Sequence, residues 1–96
     1  MPIERDDHKL VRQAVRYLAA ARQDEHPVIA ALHYAYAVAW FEAARKITRD
    51  GGLARGIDQA LSEAQSEQDQ TQRELLRRFP PRRPLPAVVL RTGPTP

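Results

Sequence analysis

The sequence predicts an all-α protein, a three-helix antiparallel bundle followed by an extended tail. Apolar residues recur at three- and four-residue steps, the spacing of one helix face, and two short breaks interrupt them, "QDEHP" and "DGG". After residue 79, "PPRRPLP" cannot continue a helix, because each internal proline removes a backbone donor. We therefore predict helices at about residues 7–23, 27–49 and 53–79, a helical domain over residues 1–79, and an extended basic, proline-rich tail over 80–96.

The first predicted helix is amphipathic, with a single apolar stripe. Its charged residues lie largely outside that stripe, which is typical of a helix with one buried face. Asp6 or Asp7 can accept a hydrogen bond from a free amide of the first turn, and either favours the positive end of the helix dipole. The stripe consists of Leu10, Val11, Ala14, Val15, Leu18 and Ala21.

The second predicted helix contains an uncharged segment, "PVIAALHYAYAVAWF", in a chain of which 28% is charged. Pro27 suits the first position of a helix, and Gly51 is predicted to end this helix in the left-handed conformation. The segment spans residues 27–41, short of the roughly 20 residues that a transmembrane helix needs. We therefore predict no membrane span.

Apolar residues occur on all sides of the second helix. At about 100° per residue, Ile29, Tyr36 and Trp40 share one direction, while Phe41 lies in another with Tyr34 and Val38. The first helix offers one apolar stripe and the third only a short one, so the chain alone is not expected to cover every side. This predicts self-association, most simply as a symmetric homodimer, through Ile29, Tyr36, Trp40 and Phe41.

The third predicted helix begins amphipathic and then becomes polar. In "SEQDQTQRE", residues 66–74, no side chain is apolar. The pairs Asp69 with Arg73 and Glu74 with Arg78 are spaced to form ion pairs on a solvated helix.

The charge of the chain is concentrated at its carboxyl end. Residues 1–72 hold nine Lys+Arg against eleven Asp+Glu, a net charge of −2, whereas residues 73–96 hold six Arg against one Glu, a net charge of +5. Such a basic segment can contact an acidic protein surface or the phosphates of a nucleic acid. The residues predicted for this contact are Arg73, Arg77, Arg78, Arg82 and Arg83.

Few side chains support a chemical reaction or a cofactor. The absence of cysteine excludes disulfides, thiol nucleophiles and thiolate metal sites. His26 and His33 lie on nearly one line of the second helix, but no third ligand has a usable spacing there. We therefore predict no enzyme activity, no metal and no cofactor.

The leading functional hypothesis is a small non-enzymatic interaction or assembly protein, whose bundle dimerises and whose residues 80–96 engage a protein partner. The alternative is a nucleic-acid-associated protein that binds phosphates through the carboxyl-terminal arginines. A metal- or cofactor-binding bundle centred on His26 and His33 is the third hypothesis. The first ten residues carry five charges and no apolar run, so we expect no secretory signal and a cytoplasmic location.

Overall fold

The computed structural model describes residues 4–80, which form three helices. These are α1 (Asp6–Gln23), α2 (Pro27–Ile47) and α3 (Gly51–Arg78), and residues 4–80 include no strand. The prediction of an all-α bundle of three helices is therefore confirmed. The predicted tail, except for Pro80, lies outside the described residues.

Side chains at the two turns fix where α2 and α3 begin. His26 precedes α2, and its Nδ1 accepts a hydrogen bond from the backbone N–H of Val28 at 3.2 Å. Asp50 precedes α3 in the same way, and its Oδ1 accepts from the N–H of Leu53 at 3.0 Å. Each cap satisfies a backbone donor that has no partner within its own helix.

The prediction that Gly51 ends α2 in a left-handed conformation was wrong. The second helix ends at Ile47, and Gly51 is instead the first residue of α3. Among residues 4–80, no glycine has a positive φ. The physical reason is Asp50, which caps a new helix immediately before the glycines, so the chain turns in extended conformation at Thr48 and Asp50.

The second helix is the centre of the bundle, because it packs against both α1 and α3. The helices run antiparallel in succession. The end of α2 meets the start of α3 through Arg45 and Asp58, whose Nε and Oδ1 are 2.8 Å apart, and Tyr34 contacts Glu67 further along.

Among residues 4–80, no helix has both the length and the apolar character needed to cross a bilayer.

The core of the bundle is rich in alanine, which lets the helices approach closely. Phe41 and Ile57 are the largest fully buried side chains, and Leu18 and Tyr34 are nearly as well covered. The remaining buried members of the cluster are Ala14, Ala21, Ala30, Ala37, Ala44 and Ala64. Much of the apolar volume of the core therefore belongs to a few large side chains.

Candidate interaction surface

The side of α2 that faces away from the core is apolar and exposed. Val28, Ile29, Leu32 and Tyr36 are between 41% and 49% exposed, and the alanines between them, Ala35 and Ala39, are exposed as well. We call these six residues the outer face of α2. None of them is charged, although exposed helix faces in water are normally polar. A large contiguous apolar patch of this kind is typical of an interaction surface.

The four residues predicted for self-association divide between this face and the core. Ile29 and Tyr36 belong to the outer face. Trp40 is half-buried and packs against the core, whereas Phe41 is only 1% exposed and lies inside it. Of the four predicted residues, Ile29 and Tyr36 are therefore exposed, and Val28 and Leu32 lie beside them on the outer face.

The first helix flanks one edge of the outer face through an aromatic cluster. The ring of Tyr17 lies 5.1 Å from that of Tyr36 and 6.2 Å from that of His33, measured between centroids. These distances are within the range of favourable aromatic contact. The Nδ1 atom of His33 is buried and has no hydrogen-bond partner among the described residues. The cluster holds the Tyr36 ring in place at the edge of the outer face.

The arginines predicted to contact a partner are ion-paired where the structure describes them. Arg73 pairs with Asp69 at 2.9 Å, and both Arg77 and Arg78 pair with Glu74, at 2.6 and 2.7 Å. The pairs predicted between Asp69 and Arg73 and between Glu74 and Arg78 are confirmed. These carboxylates offset the positive charge along the end of α3. Arg82 and Arg83 lie outside the described residues.

Glu67 connects all three helices, a role that its sequence context does not indicate. Its carboxylate accepts two hydrogen bonds from the Arg22 guanidinium, both at 2.7 Å, and a third from the Tyr34 hydroxyl at 3.1 Å. The Arg22 bonds lower the pKa of Glu67 against the opposing effect of burial, and Glu67 in turn raises the pKa of Arg22. Burial raises the pKa of Tyr34, and the nearby Glu67 carboxylate raises it further.

Asp7 performs a similar role at the opposite end of the bundle. Its buried carboxylate accepts hydrogen bonds from Arg5 at 3.1 and 2.8 Å, from the N–H of His8 at 2.9 Å, and from the hydroxyl of Thr48 at 2.9 Å. Thr48 ends α2, so this carboxylate ties the start of α1 to the turn between α2 and α3. The hydrogen bonds from Arg5 lower the pKa of Asp7 to about 2, with a further contribution from Thr48 and against the effect of burial.

We expect acid to weaken the fold through Asp7. Its pKa of about 2 in the folded protein lies below the ordinary value of 3.8, so the unfolded chain takes up the proton first as the pH falls. The stabilisation is fully present above about pH 4 and is lost towards pH 2. Urea unfolding of the native protein and of Asp7→Asn at several pH values measures this. The variant should be less stable near neutral pH and should lose less stability in acid.

The matched control for this experiment is Asp6→Asn. Asp6 is exposed and forms no hydrogen bond or ion pair with side chains among residues 4–80. Asp6→Asn should keep the acid sensitivity of the native protein. Equal acid sensitivity of the native protein and of Asp7→Asn would contradict the role given to Asp7.

The two histidines of the metal hypothesis have different surroundings. His26 uses its Nδ1 as the cap of α2, and His33 lies beside Tyr17. Within residues 4–80, no group of three or more His, Asp or Glu side chains could hold a metal ion.

No family model matches the chain, and neither a curated protein nor a solved structure is significantly similar to it.

Proposed function

We propose that this chain is a small non-enzymatic assembly protein that binds a second copy of itself through the outer face of α2. The observation that carries the proposal is the exposure of Val28, Ile29, Leu32 and Tyr36 on the side of α2 opposite the core. Both neighbouring helices pack mainly on the other sides of α2, so within residues 4–80 these side chains stay about half exposed. The engagement of a further protein by residues 80–96 remains a prediction from the sequence.

The size of the outer face indicates a reversible association. Its four large side chains are about half exposed, and covering the exposed half of each contributes about 1 kcal/mol. Over two copies this amounts to roughly 8 kcal/mol, which the loss of translational and rotational freedom opposes. We therefore expect monomers and dimers in an equilibrium that depends on concentration, not a permanent dimer.

Sedimentation equilibrium of the native protein over a range of concentrations tests the proposal. The average mass should rise from that of the 10.9 kDa chain towards twice that value as concentration increases. The thermal midpoint should rise as well, because association stabilises the folded state by mass action. A monomer mass from micromolar to millimolar protein, with a constant thermal midpoint, would refute self-association.

A further inference from the structure

We infer that the two copies pair α2 against α2 in antiparallel orientation, about a two-fold axis that passes between Ala35 and Tyr36. This inference rests on the proposed function and specifies its geometry. It follows from two features of the outer face, namely the positions of its large and small side chains and the charges at its two ends.

Within the outer face, the large side chains lie towards the amino-terminal end of α2, while Ile47, 48% exposed, lies at the other end of the helix outside this face. Val28, Leu32 and Tyr36 form a row in the amino-terminal half, with side chains between 46% and 49% exposed. A second row of alanines, residues 35, 39 and 43, continues beside it through the carboxyl-terminal half. Each row follows the four-residue step that keeps side chains on one side of a helix.

Antiparallel pairing places the large half of one copy on the small half of the other. A parallel pair would set large side chains against each other and hold the alanine halves apart, which would leave voids. With the axis between residues 35 and 36, each large side chain of this row meets an alanine at its own level. The pairs are Val28 with the partner's Ala43, Leu32 with the partner's Ala39, and Tyr36 with the partner's Ala35.

The same register brings opposite charges together. Lys46 lies eighteen residues after Val28, about five helical turns, and is therefore on the same side of α2. In the antiparallel pair it comes level with the turn that precedes the partner's α2, and this turn contains Glu25. Both residues are exposed, and neither forms an ion pair among residues 4–80. The two-fold axis forms this contact twice, once at each end of the interface.

Single cysteines test the orientation, because the native chain contains none. In the inferred pair, the two copies of residue 35 lie within about 2 Å of the same level along the helices, whereas the two copies of residue 39 are offset by about 10 Å. A disulfide requires Cα atoms about 4.4–6.8 Å apart. Ala35→Cys should therefore cross-link and Ala39→Cys should not. In a parallel pair, both variants should cross-link.

The experiment measures the rate of disulfide formation under a mild oxidant at a concentration where the native protein is dimeric. Ala35→Cys should form covalent dimer on the order of tenfold faster than Ala39→Cys, since only the first brings its thiols within reach. Ala19→Cys, exposed on α1, gives the rate due to random collisions. Each variant is also checked by sedimentation, so that a loss of dimer is not mistaken for a change of geometry.

The possible results separate this inference from the proposed function. Rapid cross-linking of Ala35→Cys alone supports the antiparallel register. Cross-linking of both variants at similar rates, or of neither in a protein that sediments as a dimer, overturns the inference but leaves self-association intact. A native protein that is monomeric at all concentrations removes both.

Discussion

Replacing Phe41 with alanine should remove a large part of the free energy that stabilises the fold. Phe41 is 1% exposed at the centre of a core that otherwise consists largely of alanine, so the surrounding side chains are too short to fill the cavity. A phenylalanine-to-alanine change in such a core costs about 3–5 kcal/mol. A helical domain of this size is stabilised by only about 4–12 kcal/mol in total. Helical circular dichroism followed through a urea titration should show the unfolding midpoint at a much lower urea concentration than in the native protein.

Two control variants separate cavity formation from the loss of any phenylalanine. Phe41→Leu keeps most of the buried volume and should cost about 1.5 kcal/mol or less. Phe79→Ala removes a ring that is 59% exposed and should change the free energy of unfolding by less than about 0.5 kcal/mol. If Phe41→Ala proved as stable as Phe79→Ala, the position assigned to Phe41 in the core would be wrong.

The arrangement of the helices could be predicted from the sequence because its signals are local. Pro27 marks the start of α2, and the apolar steps define the stripe of α1. The start of α3 was predicted two residues too late, although the signal was present. Asp50 is a favourable helix cap, and its position just before two glycines indicates a helix beginning there as strongly as one ending there.

The inward side of α2 could not be predicted from that helix alone. Phe41, Tyr34 and Val38 were correctly grouped on one side, but two other sides of α2 are equally apolar. The structure places Tyr34 and Phe41 inside the core, with Val38 packed against it. Only the packing of α1 and α3 against α2 decides which side of α2 is buried. This packing depends on contacts between residues that are far apart in the sequence.

The two carboxylates that join the helices were missed for the same reason. Asp7 accepts a hydrogen bond from Thr48, 41 residues later, and Glu67 accepts hydrogen bonds from Arg22 and Tyr34, 45 and 33 residues earlier. The spacing of residues within one helix does not indicate such distant partners. Glu67 also lies in a polar stretch, where the absence of apolar residues indicated a solvated helix face. Its companions Asp69 and Glu74 do form the local pairs that this stretch predicts.

The outer face of α2 is uncharged in the sequence and exposed in the structure. Its uncharged residues indicated a partner before any packing was considered, and the structure leaves that side of α2 exposed. Buried and exposed apolar residues of α2 must be distinguished in mutagenesis. A charge at Phe41 would disrupt the core, whereas a charge at Leu32 changes only the surface. Experiments on self-association should therefore use Leu32 and its neighbours.

We expect Leu32→Asp to weaken self-association strongly without unfolding the monomer. Leu32 is 49% exposed, so an aspartate there can remain hydrated in the monomer. In a dimer, each copy would forgo about 1 kcal/mol of apolar burial and would have to desolvate a carboxylate. Because the change occurs in both copies, the dissociation constant should rise by about 10²-fold or more. Sedimentation equilibrium measures the constant, and circular dichroism shows whether the helices persist.

Val15→Asp is the matched control for Leu32→Asp. Val15 is 51% exposed, close to the exposure of Leu32, and it also lies within a helix. It points about 160° away from Tyr17, the residue through which α1 borders the outer face, because two residues along a helix turn by about 200°. Val15→Asp should therefore retain the native dissociation constant. If Val15→Asp and Leu32→Asp weakened association equally, the surface would lie elsewhere or the effect would come from net charge, and a dimer that persisted in Leu32→Asp would exclude the outer face of α2 as its interface.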